Sequence, residues 1–301
     1  MAAQDVVDRV LRGAVDLHVH PAPSPLPRRV DAIDAARGAE DLSMRAIVVK
    51  SHHHSTVTDV MALERYGLTD SSVRTFGGIA LNSAVGGLNP HAVDLALKLG
   101  GRIVWFPTIG SPQHIAHHAA HPDLKFPKLA VHVRPETPVD VLDEDGNLRP
   151  EVHDIIGLIR DHDAILASGH MAPDRILAVF EAASAAGVKR LLVNHPNFVV
   201  EASHEQGRRF VELGAMVEHS LCMYDDRSSF HNWDIDVLMG WIEAVGVDST
   251  TLGSDLGQRS NPLPTEAFTK IVSQLLDAGL AESDVRKLVS TNPARMLGID
   301  D

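Results

Sequence analysis

The sequence predicts a single (β/α)8 barrel spanning residues 1–301, and three observations carry that expectation. Eight short apolar runs rich in Val, Ile and Leu recur along the chain, mostly separated by stretches whose apolar residues repeat with helical spacing. Strands of that composition, alternating with helices, form parallel sheets covered on both faces. Several helical stretches stop on glycine, at Gly67, Gly100, Gly187, Gly214 and Gly246, as helices do before the loop that leads to the next strand. Eight such units in about 300 residues fit an α/β barrel.

In chain order, the first strand is AVDLHVH (14–20), followed by a helix over 30–42. RAIVVK (45–50) leads into a helix over 56–67, and TFGGIAL (75–81) into one over 90–100. After the fourth strand, RIVWFPT (102–108), the rhythm breaks. Residues 109–150 read as an insertion made of a helical piece and a small hairpin, with Asp145-Gly146 as a tight turn. AILASGH (164–170), RLLVNH (190–195) and AMVEHS (215–220) follow, each with a helix behind it, over 173–187, 203–214 and 234–246. The eighth strand is TTLGSD (250–255), and a polar loop occupies 256–264. The tail TNPARMLGID reads as a capping helix packed on the outside. Insertion and polar loop both belong at the C-terminal mouth of the barrel, where barrel active sites are built.

Composition narrows the partners. Hydrophobic residues at 44% and charged residues at 22% are the mix of a soluble globular protein. A net charge of −13 without a Lys/Arg stripe argues against nucleic acid and anionic membranes. The first residues, MAAQDVVDRVLRG, lack the apolar core of a signal peptide, and no apolar window is long enough to span a bilayer. Cys222 stands alone, so a reduced, cytoplasmic compartment is the default. A small-molecule substrate is the expected partner, and a homo-oligomer is left open.

The chemistry lies where the apolar runs end. The first closes with Asp16, His18 and His20, and later ones end at His170, His195 and Asp255. On an extended strand His18 and His20 point the same way. Imidazoles and a carboxylate converging from several strands are what a catalytic zinc, manganese or iron takes. Such an ion keeps a position open for water and lowers its pKa toward ~7. Asp255 is the one carboxylate in the set, so it can act as general base and then general acid; its bland alternative is to cap the following helix. The absence of further cysteines leaves thiol chemistry without support.

Other candidates surround this set. His52, His53 and His54 are adjacent, so they point different ways; His52, close to Lys50, is the one expected in the site. Glu218 and His219 end the seventh strand, where alternation lets only one face inward; His219 is taken as a substrate contact. Gln258 is the mouth-loop candidate for gripping substrate, beside Arg227, Arg259 and Asn261. His114, His117, His118 and His121 share helical spacing and read as a solvated helix face rather than a second metal site.

These motifs together resemble the amidohydrolase superfamily of metal-dependent (β/α)8 hydrolases. His-x-His at 18–20, His170, His195, Asp255 and the NPARMLGI ending stand in the matching order over nearly the whole chain. The resemblance implies that His18, His20 and Asp255 bind one divalent metal, and that His170 and His195 bind that metal or a second. It implies one or two ions, zinc first, with manganese or iron as alternatives. Binuclear members bring a bridging carboxylated Lys or a Glu from the fourth strand, and RIVWFPT offers neither. Lys50 ends the second strand instead. It either bridges as a carbamate, or stays a cation beside Asp16, hydroxide or substrate, the second reading being preferred. The implied function is hydrolysis of an amide, lactone or related bond in a small molecule. The alternatives are a decarboxylase of the same superfamily, a phosphoesterase, and a non-catalytic metal-binding protein.

Overall fold

Among the described residues, nine short strands make two parallel sheets. β1 (Val15–Val19), β2 (Ala46–Val49) and β3 (Arg74–Phe76) pair in that order. β4 (Gly78–Ala80), β5 (Ile103–Trp105), β6 (Ile165–Ala167), β7 (Leu191–Asn194), β8 (Ala215–Ser220) and β9 (Thr250–Gly253) make the second. The computed structural model describes residues 2–68, 71–122 and 129–299.

The two sheets form one ring. Only Gly77 separates β3 from β4, and Thr56 spans the step there. Its backbone N donates to Gly78 O, and its Oγ1 accepts from Gly78 N and donates to Val49 O. At the other edge Asp255 N donates to His18 O (2.7 Å), His20 N donates to Leu256 O (2.8 Å), and Val19 bridges Leu256 in parallel. Counting β3 and β4 as one, the eight expected strands are all present in the expected order.

Ahead of β1 stands α1 (Gln4–Leu11), and the later helices begin with α2 (Ala32–Asp41), α3 (Val57–Arg65), α4 (Pro90–Lys98), α5 (Pro112–Ala120) and α6 (Pro150–Asp161). They are followed by α7 (Pro173–Ala185), α8 (His204–Glu212), α9 (Ile235–Val245), α10 (Pro264–Asp277), α11 (Glu282–Arg286) and α12 (Asn292–Leu297). Two helix starts carry a reciprocal cap, Asp31 with Asp34 on α2 and Ser203 with Gln206 on α8. The insertion contains α5 and a hairpin closed by the antiparallel bridge Leu142–Leu148, with Gly146 at a positive φ of 82°. Residues 123–128 of the expected insertion and Asp300 of the expected tail lie outside the described residues. No helix among the described residues is long and apolar enough to cross a membrane.

The tail corrects one expectation. Ala294, Met296, Leu297 and Ile299 do not join the outer layer. They pack with Val15, Leu17, Ala46, Val48, Ile103, Ile165 and Leu192, and so close the floor of the ring. Inward-facing strand residues at that end need an apolar cover, and α12 supplies it. Asn292 ties it down by donating to Val247 O and Thr250 O, and Arg45 donates to Ile299 O. Leu297→Ala is therefore expected to cost about 2–5 kcal/mol, the usual range for a buried leucine, as read from urea denaturation. An unchanged midpoint would return the tail to the outside.

Candidate metal centre

A register shift in β1 builds the site. Val15 and Asp16 pair with Ala46 and Ile47, yet Val19 pairs with Val49, so β1 holds one residue more than β2 over this span. Leu17 therefore packs inward with Val48, while His18 also faces the interior, its ring 6.4 Å from that of Trp105. Asp16 turns away. Its Oδ1 accepts from His18 N (3.0 Å) and Ser254 N (2.9 Å), which pins β1 to β9. Asp16 is thus a strand tie and not the partner of Lys50.

Lys50 instead donates from Nζ to His18 Nε2 (3.0 Å), buried above the Trp105 ring at 5.2 Å. The other ring nitrogen of His18, Nδ1, donates to Glu218 Oε1 at 2.7 Å, and Asn194 Nδ2 donates to the same oxygen. A carboxylate can only accept, so the proton sits on Nδ1, and the Nε2 lone pair, which here accepts from Lys50, is the one an ion would take in its place. Gly253 makes room for this pairing: a Cβ there would stand 2.9 Å from Glu218 Oε2 and 3.0 Å from His18 Cβ. Asp255 Oδ1 lies 3.1 Å from His20 Nε2 and 3.4 Å from His18 Nε2.

His18, His20 and Asp255 each offer a donor atom, all within 4.8 Å of one another. Among the described residues this is the group found with that spacing. The set fits a divalent ion on two further grounds. A histidine whose second nitrogen donates to a carboxylate is the usual support of a metal ligand. Burial also pushes the imidazoles down, His20 to about 3 and His195 to about 4, with His170 well below its ordinary value. They are therefore neutral, the form that ligates. Burial opposes ionisation of Asp255, but the neighbouring His18 and His20 outweigh it and hold the carboxyl well below the usual range.

His170 and His195 stand beside this trio, their ring centroids 4.7 Å apart and His195 6.2 Å from His18. The buried Nδ1 of His195 has no hydrogen-bond partner, so it is available to an ion or substrate. Both residues line one pocket with His20, His52, His114 and Asp255. His52 is fixed by Thr108 Oγ1, 2.9 Å from its Nδ1, and Asn82 Nδ2 donates to the same hydroxyl.

Two expectations are corrected. His219 does not face the pocket. Its ring packs on Trp241 and its Nδ1 meets the Tyr224 hydroxyl, because inward-facing Glu218 turns the next side chain to the helix layer. His114 is not on a solvated face: it is buried, and its Nδ1 lies 2.9 Å from His170 Nδ1. His117 pairs with Glu201 further along α5. Gln258 does line the pocket, its amide donating to Asp255 O. Asn261 supports Gln258, whereas Arg227 is engaged by Asp225 and Arg259 is exposed. Arg28, also on the pocket wall, carried no signal in its proline-rich loop.

Comparison with known proteins adds the fold relationship. Residues 13–218 match a family model described as a family of unknown function, DUF6282. None of the curated proteins compared matches the sequence. Among solved structures, an amidohydrolase from Pseudomonas aeruginosa superposes with a TM-score of 0.62 at 11% identity, over 98% of each chain. A phosphotriesterase homology protein from Escherichia coli, complexed with phosphate, gives 0.55 at 12% identity, over 95% of this chain and 98% of its own. A 2,6-dihydroxybenzoate decarboxylase gives 0.54 at 11% identity, over 95% and 99%. At such identities the likeness speaks for the fold, which is the barrel that these amidohydrolase-superfamily structures share.

Proposed function

The chain belongs to the family of unknown function DUF6282, and from that premise we propose that it is a metal-dependent hydrolase opening an amide, lactone or related bond of a small molecule. The observation that carries this reading is the His18–His20–Asp255 donor trio at the mouth of the barrel, with Glu218 orienting His18. His18, His20 and Asp255 would hold one divalent ion, zinc first among zinc, manganese and iron. His170 and His195 would complete that sphere or hold a second ion. When bound, the ion supplies Lewis acidity toward water and the scissile carbonyl.

The chain's own groups supply the rest. Asp255 Oδ takes a proton from the attacking water as its oxygen bonds to the carbonyl carbon. It then returns the proton to the leaving nitrogen or oxygen as that bond breaks. Glu218 keeps the proton of His18 on Nδ1, and Lys50 Nζ meets charge that builds on the reacting oxygen. Leu26, Phe198, Met223 and Phe230 on the pocket wall exclude water. With the single cysteine, Cys222, buried and free, a cytoplasmic setting remains the expectation.

Two measurements test the reading: metal per chain after purification without added metal, and turnover across lactones, cyclic amides and aromatic carboxylates. Metal-dependent opening of a lactone or amide supports it. Loss of CO2 from an aromatic carboxylate would move the assignment to a decarboxylase. Lys50→Ala is expected to abolish turnover and leave one metal in place. Loss of half of a two-metal complement, with rescue by added short-chain carboxylates, would instead make Lys50 a carbamate bridge.

A further inference from the structure

We propose that Arg28 anchors an anionic group of the substrate, so that this site takes small molecules carrying a carboxylate beside an apolar body; the inference rests on the hydrolase reading for the identity of the site alone. Arg28 lines the same pocket as His20, His52 and Asp255. Its Nε is buried with no hydrogen-bond partner, and among the described residues no carboxylate pairs with its guanidinium. A half-buried guanidinium whose Nε is out of water and unpaired is costly to hold without a counter-charge. Asp255 is the one acid that acts on it through space, and that carboxylate is committed to the ligand trio and to proton transfer. The missing counter-charge is therefore one that a ligand brings.

The backbone holds Arg28 in place for this purpose. Arg28 bridges Gln258 antiparallel, Arg29 N donates to Gly257 O (2.8 Å), and Arg259 N donates to Pro27 O (3.1 Å). Gly257, at a φ of 136°, lies so close to the ligand strand that a Cβ would fall 2.1 Å from His20 O. The loop bearing Arg28 is thus locked against the strand bearing the metal ligands, at a fixed distance from the reacting centre. A planar guanidinium grips a carboxylate with two parallel hydrogen bonds. Phe198 and Phe230 on the same pocket wall suit an apolar body attached to it.

The test is equilibrium binding of phenylacetate and of phenylacetamide to the metal-loaded protein, by calorimetry, for the wild type, Arg28→Met and Arg28→Lys. The wild type is expected to favour phenylacetate at least tenfold. Arg28→Met, with an unchanged melting temperature, is expected to lose most of that preference, and Arg28→Lys to keep part of it. Equal binding of the two probes by the wild type, or no binding of phenylacetate at millimolar concentration, overturns the proposal. An undiminished preference in Arg28→Met overturns it too, because the carboxylate would then be held by the metal. Binding does not depend on turnover. A protein that binds phenylacetate through Arg28 but opens no amide or lactone refutes the hydrolase reading and leaves this one standing.

Discussion

Replacing His18 with Ala is expected to strip the metal and abolish turnover while leaving the barrel folded. His18 contributes the one nitrogen whose lone pair is fixed by a buried carboxylate on the far side of the ring. Without it the trio falls to His20 and Asp255, and the one ligand nitrogen backed by a buried carboxylate is gone. Folding survives because the contribution of His18 to the ring is made by its backbone. Its carbonyl still accepts from Asp255 N and Ser254 Oγ, and Asp16 still ties the two strands. Glu218 Oε1 keeps Asn194 Nδ2 as a donor. Metal per chain, turnover and circular dichroism read the three parts separately. A wild-type protein that turns over fully in chelator with no bound metal would sink the assignment.

Asp255→Asn is expected to slow hydrolysis by roughly 10²–10⁴-fold, the usual worth of a positioned general base. The amide has nearly the same shape, and the backbone bond from residue 255 to His18 O does not depend on the side chain. An amide cannot take the proton from water, whereas the native carboxyl is held ionised by its imidazole neighbours. Because Asn is also a weaker ligand, metal occupancy must be followed alongside the rate. Full occupancy with near-normal turnover would assign the proton to another group.

The strand positions were legible because the apolar runs are all six or seven residues long, alike in composition, and most close on a polar residue. The order of the candidate ligands followed from them. What escaped the sequence depended on contacts between distant segments. The extra residue in β1 is invisible, since VDLHV reads as a regular strand; only pairing with Ala46–Val49 reveals that Leu17 and His18 both turn inward. Alternation allowed Glu218 or His219 to face the site, and packing of Trp241 from α9 decided it. His114 looked like solvated surface because helical spacing does not say which face of an insertion docks. Arg28 sits in PAPSPLPRRV, where no periodicity operates, and its place follows from pairing with Gln258.

Two residues at the mouth of the ring hold a strained backbone. His195 and Asp255 have positive φ values of 27° and 54°, a region that costs a residue with a Cβ on the order of 1 kcal/mol or more. Changes that relax those two positions gain stability by giving up the arrangement that reaction requires. At the opposite end of the strands, Ala294, Met296 and Leu297 fill an apolar floor, and packing can improve there without changing a residue of the mouth. Heat tolerance and catalytic power are thus adjustable independently in this chain. Selection for a warmer habitat would rewrite the floor and leave the mouth as it is.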